Sequence, residues 1–436
     1  MSKKVVIVGA GPSGLLLAHY LLARDNKYQI DIYERRPDPR TVSVSKSRTF
    51  PISLSGRGMN ALRKIPGLEE AVLAISVEMW GNIVHQQNGK QIVVIRNKPL
   101  FALDRTDFTK VLLNTLQKFA NSRLNLYFQC SCTHIDLDAK TANFQNLAST
   151  EPEYLSIAYD LLVGADGARS VVRRHFLNTK LFELEQKYVS DDYKSVFLPS
   201  GSNEKLQIAL EPSKIHAWRL DGSIGVILLH QADGTMSGII RFPRGDQRVT
   251  ALKSEAEVLQ FFEQNFPQVG QLMPESEAAA FLKRPIATTL TIRCSHYHYS
   301  DSALLIGDAA HAVSPALGQG CNCALEDVVV LNQLLNQYAD DLKLVLEQFT
   351  TCRLADTHAA SELSSNTLPL SKPLFIEFII KERVATVLHR FFPKRFFPPL
   401  FEALYESTVS YAEILHRYKN WCSKVKKSQE KLVEAL

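Results

Sequence analysis

Three apolar runs in this chain each end on a glycine-containing turn. Val5–Val8 leads into Gly9-Ala10-Gly11-Pro12-Ser13-Gly14, Leu161-Leu162-Val163 into Gly164-Ala165-Asp166-Gly167, and Ala303–Ile306 into Gly307-Asp308. Short continuous apolar runs bounded by turn residues predict fully buried strands, as in the middle of a parallel sheet. Behind the first run, Leu15, Leu16, Leu17, Tyr20 and Leu21 form the buried face of a helix and a second strand closes at Glu34, so residues 3–36 read as a βαβ unit. Further strands are expected over Met79–His85, Gln91–Val94 and Leu124–Phe128, with helices from near Gly56 to Ile75, from Arg105 to about Phe119, and from near Asn322. Residues 37–60 are polar and weakly periodic, the pattern of a loop leading to the helix near Gly56.

From 178 to 295 the texture changes to short alternating runs (Ser195–Leu198, Ile215–Arg219, Gly225–Leu229, Ser237–Phe242), with one helix near Glu255–Asn265. Alternation at period two between turn residues predicts a mostly antiparallel sheet. From Asn322 onward the chain is mainly helical, broken at Pro369–Pro373 and Pro393–Pro399. The expected class is α/β: a Rossmann-like nucleotide-binding fold with an inserted, mostly antiparallel substrate domain and a helical C-terminal region. The expected divisions are 1–177 for the first part of the nucleotide domain, with substrate-side strands around 79–98, then 178–295 for the sheet domain. Residues 296–345 complete the nucleotide domain, and 346–436 form a helical cover over the substrate site.

The first turn carries chemistry. Gly9 makes the tight turn, Gly11 lets the backbone reach a pyrophosphate, Gly14 allows close helix-to-strand packing, and Glu34 can accept both hydroxyls of an adenosine ribose. An acid at that ribose disfavours a 2′-phosphate, which leaves FAD or NAD. Gly307 to Asp327 reads as strand, loop and helix N-terminus, where unpaired backbone N–H groups suit a flat, partly anionic ligand. Asp166 suits either a ligand contact or a helix N-cap. Arg40, Lys46 and Arg48 either contact phosphates or a nicotinamide cofactor, or are simply solvated.

Composition narrows the class. Hydrophobic residues make up 45% and charged residues 22% of 436, ordinary values for a globular protein. A net charge of +5 is too small for a nucleic-acid footprint, and the excess resides in 371–436, where twelve Lys and Arg face seven Asp and Glu. No apolar run reaches membrane-spanning length and the chain enters a strand directly, so a cytoplasmic protein is expected. The seven cysteines show no zinc spacing, and Cys321 and Cys323 read as small packing side chains. No metal site is expected.

The three motifs in order, GxGxxG with a following Glu, DG, and GDAAH with P and GQG.N, resemble the single-component (class A) flavin-dependent aromatic hydroxylases over nearly the full length. The stretches FPISLSGRGMNALRKIPGLEEAV, YDLLVGADGARSVVR and RLADTHAASELS are most similar to the kynurenine 3-monooxygenases and their plant and cyanobacterial relatives. The resemblance implies a GR2-type, p-hydroxybenzoate-hydroxylase-like FAD fold. It also implies hydroxylation of a small aromatic substrate with O2 and transient NADPH or NADH, through a C4a-hydroperoxyflavin. FAD contacts are implied at Gly9, Gly11, Gly14, Glu34, Arg35, Ser53, Arg105, Cys132, Asp166, Asp308, Gly320, Cys321 and Asn322, while Pro315, Gly318 and Gln319 would shape the flavin-ring loop. No acid or base is required of a side chain, and His311 is expected to be structural.

The substrate positions depart from the family. The Arg that clamps a carboxylate in the kynurenine enzymes falls here on Asn82, an accompanying Tyr near Ile95 or Arg96, a C-terminal Tyr on Leu400 or Phe401, and an Asn on Asn366 or Thr367. An amide cannot replace a bidentate Arg–carboxylate pair at equal strength, which counts against kynurenine itself. An alternative is FAD-dependent reduction or oxidation of a lipophilic prenyl, polyene or quinone-like substrate at a membrane. The basic, aromatic segment around Phe375–Phe397 suits peripheral contact with an anionic bilayer, or packs inward over the substrate pocket.

Overall fold

The computed structural model describes residues 2–42, 51–119, 123–149, 151–179, 182–203, 207–220, 223–369 and 371–434. The three apolar runs lie side by side in one sheet. Its six strands follow the order His298–Tyr299, Ala303–Leu305, Leu161–Gly164, Lys3–Val8, Tyr28–Glu34 and Leu124–Phe128. All neighbours pair parallel except the first two. Val5, Val6 and Ile7 are fully buried, as are Leu162, Val163, Leu304 and Leu305, because the sheet is covered by helices such as Pro12–Leu22 and by a small second sheet whose Phe144 stacks on Tyr33. Every glycine turn therefore opens at the same carboxyl edge, where ligands of α/β sheets bind.

The second sheet has eight strands, ordered Ala287–Cys294, Leu184–Leu198, Met236–Pro243, Ile224–His230, Ile215–Leu220, Val77–His85, Gln91–Leu103 and Ile52–Leu54. Only Ile215–Leu220 against Val77–His85 is parallel. One face packs Trp218, Val226, Leu228 and Phe242 against the helices of residues 247–283. The other packs Met79, Leu100, Ala102 and Leu229 against Leu317 and the C-terminal helices Leu342–Asn366, Lys372–Phe391, Leu400–Tyr405 and Tyr411–Glu434. That second face of the sheet thus shares a core with the loop after Gly307.

Several local expectations change. The 37–60 segment contains the strand Ile52–Leu54, and the sheet region carries four helices (Gln247–Thr250, Glu255–Asn265, Pro267–Leu272, Glu275–Lys283) where one was expected. Leu184–Leu198 is one long strand whose first half is exposed, so its polar residues hide the period. A three-stranded sheet, Cys130–Asp136, Thr141–Asn146 and Glu153–Ala158, stands where no strand was read. The helix expected near Asn322 starts at Gly320. The aromatic segment divides by face: Phe378 is 2% exposed, while Phe391 and Phe392 are 70% and 57% exposed. Among the described residues, no helix is long and apolar enough to cross a membrane.

Candidate active site

The first glycine turn is closed by its neighbours. Gly9 has φ +106° and a Cβ there would sit 2.5 Å from the Ala165 carbonyl oxygen, so only glycine fits. A Cβ on Gly14 would meet the Gly9 carbonyl at 2.4 Å. Gly11 differs: its nearest neighbour would lie 3.9 Å away, leaving open space on the ligand side. Glu34 accepts from Ala10 N at 2.9 Å and from Arg36 N at 2.9 Å, which fixes its carboxylate beside the turn. Arg35 is exposed. Arg40 is engaged by Asp38, with Nε 2.9 Å from Oδ1, while Lys46 and Arg48 lie outside the described residues.

Asp166 caps a helix with one oxygen and leaves the other open. One oxygen accepts from Val171 N at 2.6 Å and from Val172 N at 3.3 Å, while Ser170 caps the same helix through Arg173 N at 2.9 Å. The other oxygen, Oδ1, is buried with no partner among the described residues. Burial outweighs these hydrogen bonds and pushes the Asp166 carboxyl up. A buried acceptor left open at the carboxyl edge of the sheet suits a ligand hydroxyl. Cys132 lies close enough for the Asp166 charge to add to burial, and its thiol is pushed up to about 12.

Arg173 ties the second and third turns together, donating to the Ala309 carbonyl at 2.8 Å and the Ala168 carbonyl at 2.6 Å. Beyond Gly307 the short helix Asp308–His311 leads to a tight turn at Pro315–Leu317, then Gly318 at φ +61°, then helix Gly320–Gln337. Pro315, Ala316 and Gly318 are exposed, and a Cβ on Gly318 would meet nothing within 4 Å. A Cβ on Gly320 would lie 4.0 Å from Asp308 Oδ1. Cys321 is near enough to Arg105 and Asp308 to feel both, and burial pushes its thiol up to about 12, so it stays an unreactive thiol.

The Asn322 side chain faces inward instead. Its oxygen accepts from Ser55 N at 2.8 Å, and its nitrogen donates to the Ser53 carbonyl at 2.9 Å and the Gly318 carbonyl at 3.1 Å. Only its backbone N–H, in the first turn of the helix with those of Gly320 and Cys321, is placed for an anion. His311 is tied beneath the loop: Nε2 lies 2.6 Å from Asp327 Oδ2, which also accepts from Gly307 N at 2.8 Å. Burial works against its charged form, but Asp327 and Cys323 outweigh it and hold the imidazole well above its ordinary range. Arg353 completes this buried set, reaching Asp327 at 2.9 Å, Asp356 at 3.0 Å and Glu326 at 3.0 Å.

At the positions expected to meet substrate, Arg96 Nη2 donates to Asn82 Oδ1 at 3.3 Å and the guanidinium lies over the Tyr405 ring, 4.6 Å from its centroid. Arg96 Nε is buried with no partner among the described residues. Burial lowers the pKa of this guanidinium, against the pull of Tyr405 and Glu406. Phe401 stacks on Tyr405 and meets Phe378 edge-on. Asn366 donates to Glu362 Oε1 at 2.8 Å, one turn back on its own helix. Tyr405 and Tyr411, which no motif marks, hold the loop: Tyr405 donates to the Leu317 carbonyl at 3.0 Å and Tyr411 to Gln319 Oε1 at 2.9 Å.

An open pyrophosphate turn, an acid at the ribose, an unpaired Asp166 oxygen and an exposed glycine loop ahead of a helix N-terminus together fit FAD. The chain belongs to the FAD binding domain family, whose model matches residues 2–343, and is an FAD-dependent monooxygenase of the aromatic hydroxylase class. Within that class it is 32% identical to kynurenine 3-monooxygenase of Drosophila willistoni, over 96% of this chain and 90% of the relative. The Sus scrofa kynurenine 3-monooxygenase is 28% identical over 97% and 87%. Among solved structures, the tetrameric form of 2-methyl-3-hydroxypyridine-5-carboxylic acid oxygenase superposes with a TM-score of 0.68 at 19% identity. It covers 84% of this chain and 90% of its own, a likeness of fold.

Proposed function

We propose that this monooxygenase uses NADPH or NADH and O2 to hydroxylate an electron-rich aromatic ring that carries an anionic group. The observation that carries this reading is Arg96, a part-buried guanidinium whose Nε is buried and unpaired, with no carboxylate in ion-pair contact among the described residues and an aromatic wall at Tyr405. A largely desolvated cation of this kind is costly until an anion pairs with it. The relatives are named for kynurenine, whose side chain ends in an amino-acid carboxylate. Here Asn82 stands at the expected clamp position and Arg96 reaches it from the neighbouring strand, so the anchor has moved and a differently shaped substrate is favoured over kynurenine.

Bound FAD supplies the redox chemistry, taking hydride and passing one oxygen atom of O2 to the substrate. Gly9, Gly11, Gly14 and Glu34 would hold its pyrophosphate and ribose, with Arg35, Ser53, Arg105 and Cys132 along its length. Asp166 and Asp308 would accept from its hydroxyls. The first-turn amides of Gly320, Cys321 and Asn322 would face the ring edge where negative charge collects. Pro315, Gly318 and Gln319 would form one wall of the reaction space, and the C-terminal helices would exclude water from it.

The test mixes FAD-loaded protein with NADPH or NADH and a panel of aromatic carboxylates that includes kynurenine. Flavin bleaching, oxygen uptake and product mass are followed. Substrate-stimulated oxygen uptake with a product heavier by one oxygen atom supports the reading. A product heavier only by two hydrogens, formed without oxygen uptake, overturns it in favour of a reductase.

Peripheral contact with an anionic bilayer is a second proposal, carried by the outer face of helix Lys372–Phe391. Ile376, Ile380, Val384, Val387 and Phe391 recur at helical spacing and are each more than half exposed, beside Lys381, Arg383 and Arg390. An apolar stripe flanked by cations suits the surface of an acidic membrane. Co-sedimentation with phosphatidylserine vesicles at low salt supports it, and an unbound fraction equal to that without vesicles overturns it.

A further inference from the structure

Tyr411 reaches the loop at 315–319 from the buried side. Its ring is fully buried, and its hydroxyl donates to Gln319 Oε1 at 2.9 Å. The Arg57 guanidinium covers one ring face at 4.2 Å from the centroid, itself held by Glu326 and by the Val409 carbonyl at 2.6 Å. Helix Gly56–Arg63 and helix Tyr411–Glu434 therefore fix the phenol between them.

A buried phenol keeps its proton and must donate it, so its partner has to be an acceptor. That requirement settles the orientation of the Gln319 carboxamide: oxygen toward Tyr411, nitrogen toward the loop. The amide nitrogen then lies 3.4 Å from the Leu317 carbonyl, which also receives the Tyr405 hydroxyl at 3.0 Å. Two phenols, six residues apart in the C-terminal segment, thus brace successive parts of the turn at 315–319.

We infer that Tyr411 is a positioning residue of the active site, acting through Gln319 to set the shape of the flavin-ring loop. The inference rests on the reading of 315–320 as that loop. It makes the C-terminal helix part of the reaction machinery as well as its cover. A loop released from Tyr411 would admit water and loosen its fit to the substrate, so the O2 consumed would appear as hydrogen peroxide in place of hydroxylated product.

The test compares wild type with Tyr411→Phe, Gln319→Leu and the double variant. Two readouts are taken: the visible absorption bands of bound FAD without substrate, and the ratio of peroxide to hydroxylated product at saturating substrate. Tyr411→Phe should shift the flavin bands and raise the peroxide ratio roughly three- to tenfold, the scale of one net hydrogen bond. Gln319→Leu should do the same, and the double variant should match Gln319→Leu alone, since both break one linkage. Wild-type bands and coupling in Tyr411→Phe, or effects that add in the double variant, overturn the inference. Should Tyr411→Phe fail to fold, Gln319→Leu decides by itself, and unchanged bands there overturn it. If wild type hydroxylates nothing, the reading of function fails while the flavin bands still test Tyr411.

Discussion

Asn322 donates to the carbonyl of Ser53 at 2.9 Å, joining the helix after the loop at 315–319 to a strand 269 residues earlier in the chain. The oxygen of that amide takes the Ser55 N–H at 2.8 Å, so one side chain fills the gap between the helix and the strand. Asn322→Ala should leave these buried backbone groups unpaired and cost about 2–5 kcal/mol of stability, read by chemical denaturation of the FAD-free protein. A loss of FAD affinity at unchanged apoprotein stability would contradict this and return the side chain to the cofactor.

Glu34→Ala should weaken FAD retention, because the carboxylate both stiffens the turn through Ala10 N and faces the ribose position. Flavin content after extensive dialysis is the measure. Content equal to that of wild type refutes the ribose role.

Arg353 is the sole cation in direct ion-pair contact with Asp356 among the described residues, and it shares Asp327 with His311. Arg353→Met should cost about 3–5 kcal/mol, since it strands buried carboxylates. The fall in thermal midpoint should be accompanied by loss of bound flavin, because Asp327 also holds Gly307. A variant as stable as wild type excludes this role.

Acid should destabilise the protein through its buried imidazoles. Burial lowers His19 from 6.5 to about 4 despite its contact with the Leu112 carbonyl, and lowers His85 from 6.5 to about 4 with His216 adding to the effect. The folded state binds these protons less readily than the unfolded state, so their contribution is complete above pH 6.5 and lost as pH falls toward 4. For His19 that loss amounts to roughly 3 kcal/mol at full protonation. His19→Gln should flatten the stability profile between those limits, and an unchanged slope counts against the assignment.

Sequence patterns revealed the nucleotide half well because its physics is local. A strand buried on both sides must be continuously apolar, and a turn beneath a ligand must be glycine, so Val5–Gly14, Leu161–Gly167 and Ala303–Asp308 announce themselves. Thr141–Asn146 and Glu153–Ala158 do not, because a small sheet with one wet face needs few apolar residues. Tyr405 and Tyr411 were invisible for another reason. Their roles arise from contacts across some 90 residues of sequence, and nothing in ALYESTVSY distinguishes them from core aromatics. Asn322 was found by motif, but the direction of its side chain was set by Ser53 and Ser55, which only the tertiary structure brings near.

The six-stranded sheet takes its central strand from residues 3–8 and two of its members from 298–305. During synthesis that strand finds both its neighbours once Leu161–Gly164 is made, but Leu161–Gly164 must itself wait, with one edge unpaired, while about 140 further residues are added before Ala303–Leu305. Such delayed pairing is slow and leaves sticky edges exposed. The segment that completes the sheet is followed at once by the loop at 315–320, so the nascent chain gains its final parallel strand and the loop proposed to face the flavin almost together. Capture of the cofactor would then coincide with completion of the fold, and scarcity of flavin during translation should appear as aggregated protein in place of a stable empty enzyme.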